Sequence, residues 1–190
     1  MKNFNLEKNL CDEFMYVYSP AVKDFKTFIQ NEGSICNEFN KKINDWDYIS
    51  IVTKEKYKSG CVVKTKCSFD KFGAPLIVFS DDITTDENGY KRYGHHYEVV
   101  AYEDGINVWC IDPDPSRVER PIAPKRIAFA EFPVEAGKEI ELEVEICEGK
   151  IISRMLGCEL VAEDCGIPAE FHVGITACEG KNYFYGFSVE

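Results

Sequence analysis

The 190-residue chain has no apolar run near the ~20 residues that a membrane-spanning helix needs. Its first residues, MKNFNLEKNLCDEF, also lack the apolar core and small-residue cleavage site of a signal peptide. Basic residues are few: 22 against 33 acidic residues, for a net charge of −11, with no Lys/Arg-rich stripe. An acidic surface repels phosphate groups. We therefore predict a cytoplasmic protein that binds neither nucleic acid nor membranes.

The nine cysteines include no C-x-x-C pair, and the closest spacings join Cys61 to Cys67 and Cys158 to Cys165. Structural zinc sites use tighter pairs to place two thiolates around one tetrahedral ion. Without a signal peptide, an odd number of cysteines favours buried free thiols that act as small apolar residues.

Two acidic loops, DDITTDENG (81–89) and DPDPS (112–116), are the candidates for calcium binding. An EF-hand register would put Thr84 at its first position and His95 at its last, so both essential carboxylates are missing. ENG is typical of a type I′ hairpin turn, and Asp112 and Asp114 are typical of local capping. We therefore predict no metal and no cofactor.

Most of the sequence consists of short runs in which apolar and polar residues alternate. The clearest run is EIELEVEIC (139–147), whose four glutamates share one face, which we predict to be solvated and to protect a sheet edge. Similar runs lie at 48–57, 60–69, 74–80, 95–102, 106–111, 126–132, 150–156, 171–178 and 182–190. The only stretch suited to a helix is 21–46, with AVKDFKTFIQ (21–30) as its candidate.

About ten short strands without βα alternation predict an all-β fold, an antiparallel two-sheet β-sandwich or jelly roll. The chain contains no linker, low-complexity tract or internal repeat. We predict one domain, 1–190, in which residues 1–30 are an N-terminal extension that packs on the sandwich or completes it.

The segment GHHYEVVAYEDGINVWC (94–110) predicts a central hairpin with polar and aromatic groups on its outward face. The strand FHVGITAC (171–178) offers a similar face, with small residues beside its histidine. Imidazole, carboxylate and amide groups could meet sugar hydroxyls, while an indole ring covers the apolar side of the sugar. The alternative is that the histidines are structural and the tryptophan is core. We predict a ligand face formed by His96, Glu98, Asn107, Trp109 and His172, with Arg126 and Arg154 as peripheral donors.

Three segments, FGAPLIVFSDDI, GHHYEVVAYEDGINVW and FHVGITACEGKNYFYGFSVE, together resemble the strand succession of the concanavalin A-like lectin/glucanase superfamily. Small jelly-roll domains of poorly defined function are the most similar members. The resemblance runs from about residue 30 to the end of the chain. It implies one convex and one concave sheet, with any carbohydrate held across the concave face.

Glucanases of that superfamily carry E-x-D-x-E or E-x-D-x-x-E on one strand. The nearest match here, EIELEVE, has Glu141 in place of the aspartate and no flanking aromatic residue. The catalytic residues of a hydrolase are therefore not assigned. Three hypotheses stand. The first is a binder of carbohydrate or a small sugar-like ligand, and the second is a glycan-active hydrolase or lyase with another acid pair, such as Glu98 with Asp112 or Glu179. The third is a module that binds a protein partner without small-molecule chemistry.

Overall fold

The structure of the protein, a computed structural model, describes residues 1–39 and 47–190. Within these ranges strands make up more than half of the residues, and a single 3₁₀ turn spans Leu10–Asp12. The strands are β1 (Lys2–Phe4), β2 (Phe14–Tyr16), β3 (Ile29–Asn31), β4 (Ser34–Cys36), β5 (Tyr48–Thr53), β6 (Tyr57–Lys58), β7 (Cys61–Phe69), β8 (Gly73–Ser80), β9 (Ile83–Thr85), β10 (Lys91–Tyr93), β11 (His96–Tyr102), β12 (Gly105–Pro113), β13 (Ile122–Glu131), β14 (Ile140–Cys147), β15 (Lys150–Met155), β16 (Cys158–Glu163), β17 (Glu170–Glu179) and β18 (Asn182–Val189). The predicted all-β class is confirmed.

Two large antiparallel sheets form the sandwich. The first sheet has the order β16-β15-β14-β7-β18-β4-β3, and β1 adds to it by pairing with β18. The second has the order β13-β12-β11-β8-β17-β5-β2, with β6 also pairing with β17. A separate two-stranded ribbon is made by β9 and β10. The N-terminal segment therefore contributes a strand to each sheet, β1 to the first and β2 to the second.

The core lies between the sheets and is built by the alternation that the sequence displays. Leu142 and Val144 of β14 point inward, and so do Val99 and Val108 of the β11–β12 hairpin, all fully buried in one apolar cluster. Phe79 of β8 is also fully buried there, with its ring centroid 5.0 Å from that of Tyr97. Burying such side chains stabilises the fold by about 1.5–3 kcal/mol each.

The glutamate row of β14 faces outward, but it does not protect an edge, because β14 lies between β7 and β15. Each neighbouring strand supplies cations to it. Glu143 forms ion pairs with Lys64 at 2.6 Å and with Arg154 at 2.8 Å. Arg154 also contacts Glu145 at 3.1 Å. The predicted edge role is wrong because hydrophobic alternation fixes the face of a strand but not its neighbours.

The helix predicted at 21–30 is also wrong. Residues 21–28 contain no helical turn, and β3 begins at Ile29. Val22 is buried in a second apolar cluster, and the Phe25 ring stacks on Tyr90 with centroids 3.7 Å apart. These tertiary contacts outweigh a weak local helix preference. Residues 40–46 of the same stretch lie outside the described residues.

Residues 17–28, which we call the N-terminal strap, run across the outer face of the second sheet. Val17 N–H donates to the Ser50 carbonyl at 3.1 Å, and Tyr18 N–H donates to the Lys91 carbonyl at 2.9 Å. Arg92 of the β9–β10 ribbon donates to the carbonyls of Ser19 and Val22, each at 3.1 Å. Strap and ribbon together therefore cover one end of this face.

The turn at residues 86–89 differs from the predicted type I′ turn. Gly89 N–H donates to the Asp86 carbonyl at 3.0 Å, and of the turn residues only Gly89 has a positive φ, at 85°. A type I′ turn needs positive φ at both central residues. All nine cysteines lie among the described residues and are thiols rather than disulfides. No helix in residues 1–39 or 47–190 has the length and apolar character to cross a membrane.

Candidate functional site

A cavity of about 360 Å³ opens on the outer face of the second sheet, beside the N-terminal strap. Its floor comes from six neighbouring strands, and its rim comes from the strap, the β11–β12 turn and the segment that precedes β13. The lining residues are Ser19, Tyr48, Ala74, Leu76, His96, Glu98, Val100, Tyr102, Asp104, Asn107, Trp109, Ile111, Arg120, Ile122, Pro124, Arg126, Cys178 and Glu179. Cavities of this size hold small molecules.

The β11–β12 hairpin places the central polar groups because its register is regular. Glu98 lies directly opposite Trp109, and His96 lies opposite Ile111. Directly opposed residues of antiparallel strands point to the same face, so these side chains all reach the cavity. A register shift between Val108 and Trp109 then sets Arg126 of β13 opposite Trp109.

Glu98 is 6% exposed and is held by two neighbours. The Tyr48 hydroxyl donates to Glu98 Oε1 at 2.7 Å, and His96 Nε2 lies 3.6 Å from the same oxygen. Burial, and then the charge of Glu98, hold the pKa of Tyr48 well above its usual value, so this phenol stays a donor. His96 Nδ1 donates to the Gly94 carbonyl at 2.8 Å, which leaves Nε2 directed at the carboxylate.

Arg126 is fixed over aromatic rings at the rim. Its guanidinium lies 4.8 Å from the Phe129 ring centroid and 5.9 Å from that of Trp109. One nitrogen also donates to Asn107 Oδ1 at 3.2 Å. Cation–π contacts and this hydrogen bond restrict the side chain, so its remaining donors occupy a defined position beside the indole.

The other end of the cavity carries a second carboxyl group, Glu179, at the end of β17. Burial raises the pKa of Glu179, while a hydrogen bond donated by Tyr102 acts in the opposite direction. Glu179 has a φ of 62°, a left-handed conformation that is uncommon for residues other than glycine.

Five of the seven residues predicted for the ligand face line this cavity: His96, Glu98, Asn107, Trp109 and Arg126. Arg154 does not, because β15 belongs to the first sheet, where Arg154 pairs with glutamates. His172 is on the second sheet but outside the lining. Its Nδ1 is 2.8 Å from the Thr53 carbonyl, which occupies that ring nitrogen.

Several lining residues were not singled out from the sequence. Tyr48 is among them, because nothing in the sequence pairs β5 with β17 and so brings Tyr48 to Glu98. Ser19 reaches the rim through the strap, which follows no strand alternation. Leu76 lies in APLIVFS, a run without the alternation that would reveal its outward face.

The chain matches no protein-family model and no curated protein. It is similar in structure to the carbohydrate-binding module CBM66 from Bacillus subtilis, with a TM-score of 0.62 and 12% identity over 88% of this chain and 99% of that one. It is also similar to a family 16 endo-glucanase from Bacteroides ovatus, with a TM-score of 0.60 and 6% identity over 100% and 99% of the two chains.

A third similar structure is the legume lectin-like domain from Entamoeba histolytica, with a TM-score of 0.57, 12% identity and coverage of 100% and 96%. A structural similarity at such low sequence identity shows a shared fold and not a shared site. The shared feature is the pair of packed antiparallel sheets described above. The chain is a jelly-roll sandwich of the concanavalin A-like type.

Proposed function

We propose that the protein binds a carbohydrate or small sugar-like ligand in the cavity on the outer face of its second sheet. The observation that carries the proposal is the convergence of Glu98, Asn107 and Arg126 around the half-buried indole of Trp109. Sugars present hydroxyls at their edges and C–H groups on their ring faces. An ionised acceptor, fixed donors and one aromatic plate match both surfaces.

The preorganisation of these groups supports binding. Glu98 is held by Tyr48, and Arg126 is held by Asn107 and two aromatic rings. A ligand that meets side chains already fixed loses less free energy to ordering them. Similar structures named as a carbohydrate-binding module and a lectin-like domain add fold-level support, which is weaker than the site itself.

The test is a binding screen of purified protein against mono- and oligosaccharides by thermal shift, followed by calorimetry on any sugar that raises the melting temperature. We expect Trp109→Ala to weaken that sugar at least about tenfold, since stacking and burial of the indole exceed about 1.4 kcal/mol. Tyr185→Ala is the matched control, because Tyr185 is a partly exposed aromatic residue on the first sheet. A panel without any binder, or equal loss in both variants, would refute the proposal.

The hydrolase hypothesis is favoured by one observation, the raised pKa of Glu179 in the cavity that also holds Glu98. The register opposes it. Glu98 is level with Val78 of β8 and Gly174 of β17, and Glu179 lies five residues beyond Gly174. The two carboxyl groups therefore come from strands separated by β8 and from different levels of the sheet.

Each carboxyl group also has its own partner, since Glu98 accepts a hydrogen bond from Tyr48 and Glu179 accepts one from Tyr102. The other suggested partner, Asp112, follows Ile111 on β12 and therefore points to the opposite face of the sheet from Glu98. Asp112 is thus separated from Glu98 by the sheet, and binding is the function that the cavity supports best.

A further inference from the structure

The inner face of the β11–β12 hairpin carries a polar cluster at its open end, on the side opposite the cavity. His95, Cys110 and Asp112 each direct one potential ligand atom to a common space, with those atoms within 4.8 Å of one another. His95 Nδ1 is 2.7 Å from Asp112 Oδ1. Cys110 is 7% exposed, so the cluster begins at the surface and extends into the protein.

The neighbouring polar atoms lack partners. Tyr97, directly opposite Cys110 in the hairpin, is fully buried, and its hydroxyl is near Asp164 and Cys110 but makes no hydrogen bond of ordinary geometry among the described residues. The buried atom His95 Nε2 also makes no hydrogen bond among them. A buried polar group without a partner costs about 1–3 kcal/mol, so two such atoms side by side indicate a missing partner.

Gly166, in the connection between β16 and β17, keeps this space open. A Cβ atom at Gly166 would lie 2.9 Å from the Tyr97 hydroxyl, 3.1 Å from Asp164 Oδ1 and 3.8 Å from His95 Nε2. Two of these polar atoms come from the start of β11, and the third comes from the connection itself, where Asp164 Oδ1 accepts the Gly166 N–H at 2.8 Å. The buried Tyr97 hydroxyl directed into this space is the second indication of a ligand.

We propose that His95, Cys110 and Asp112 form a binding site for a divalent metal ion of the zinc class. Imidazole nitrogen, thiolate sulfur and carboxylate oxygen are the ligands that zinc takes in proteins, whereas calcium and magnesium take oxygen alone. The Tyr97 hydroxyl and Asp164 face the same space and would neighbour the ion. The search for closely spaced cysteines missed this site because one cysteine serves it, with cross-strand partners.

The position suggests what the ion does. The β16–β17 connection that contains Asp164 and Gly166 passes from the first sheet to the second. Along the hairpin, residues of the proposed metal site alternate with residues of the cavity. His95 is next to His96, and Cys110 is next to Trp109. A metal at this point would fix the end of the hairpin that carries the cavity, beside the connection between the sheets.

The experiment uses chelator-treated, reduced full-length protein and titrates it with Zn²⁺ and Co²⁺ in the absence of sugar. We expect one Zn²⁺ per chain, an increase in melting temperature, and a thiolate-to-cobalt charge-transfer absorption. Cys110→Ser should abolish that absorption and weaken zinc by more than ~100-fold, because loss of an outer-shell partner alone costs about 10–100-fold. Asp112→Asn should weaken zinc at least about tenfold.

Cys147→Ser and Cys158→Ser are the matched controls, since both residues are half-buried free thiols on the first sheet. They should keep the full affinity. The Asp112 side chain is 59% exposed, so Asp112→Asn should fold and still tests the site even if Cys110→Ser does not fold. Wild-type protein that binds no zinc, Asp112→Asn and Cys110→Ser with unchanged affinity, or equal loss in a control variant would each overturn the proposal.

Discussion

The outer faces of the two sheets carry the same kinds of side chain in opposite arrangements. On the first sheet, Glu143 and Glu145 share Arg154 in an open network of ion pairs. On the second sheet, Glu98 is buried and contacts a phenol and an imidazole rather than a lysine or arginine. Exposed ion pairs contribute little, about 0–1 kcal/mol each, because water competes for them.

The two arrangements determine which carboxylate can accept hydrogen bonds from a ligand. A glutamate that already contacts cations on neighbouring strands has few acceptor positions left for a ligand. Glu98 accepts a hydrogen bond from the Tyr48 hydroxyl inside a cavity, so its remaining acceptor positions face the space that a ligand would occupy. The buried carboxylate on the second sheet is therefore the more informative one, although the glutamate row is more conspicuous in the sequence.

The largest effect that separates the two faces concerns apolar burial. Leu76, beneath the cavity, is fully buried, while Val161 on the first sheet is 45% exposed. We expect Leu76→Ala to lower the free energy of unfolding by about 2–3 kcal/mol, because it removes packed atoms and enlarges a void. Val161→Ala should change it by less than about 0.5 kcal/mol. Urea unfolding measures both, and similar losses would show that the two faces are packed alike.

A smaller effect concerns the two carboxylates. For a sugar found in the screen, Glu98→Gln should weaken binding about 10–100-fold, because hydrogen bonds to a charged acceptor contribute about 1.5–3 kcal/mol. Glu143→Gln should leave the dissociation constant unchanged, since Glu143 is on the far sheet. Calorimetry on both variants measures the difference, and an equal loss would place the ligand elsewhere.

The smallest effect concerns the pH dependence of stability, to which Glu143 on the first sheet and Glu179 on the second contribute with opposite signs. A hydrogen bond from Lys64, then one from Arg154, lowers the pKa of Glu143 below its ordinary 4.5, whereas burial raises that of Glu179. Glu143 adds its full contribution to the free energy of unfolding above about pH 4.5, and that contribution is lost as the pH falls further. Glu179 acts in the opposite direction, because it lowers the free energy of unfolding as the pH rises towards its elevated pKa.

Unfolding measured between about pH 3 and pH 7 should therefore show Glu143→Gln less stable than the wild type near neutrality, by under about 1 kcal/mol, and equal to it in acid. Glu179→Gln should match the wild type in acid and gain on it as pH rises. Curves with the same sign for both variants would contradict the assigned environments.

Alternation along single strands was readable from the sequence, and pairing between strands was not. The faces of His96 and Glu98 followed from a period of two, and the fold confirms that both point away from the core. Arg154 was assigned to the wrong sheet because the same period says nothing about which sheet receives a strand. Tyr48 was missed because its contact with Glu98 spans 50 residues of sequence.

The last two strands of the chain occupy central positions in both sheets. β17 lies between β8 and β5 in the second sheet, and β18 lies between β7 and β4 in the first. A chain emerging from the ribosome therefore carries four strand edges without their partners until residues 170–189 have been made. Unpaired edges are templates for aggregation. We expect C-terminal truncation, or a stall late in synthesis, to leave two incomplete sheets, with the cavity unformed because Cys178 and Glu179 line it.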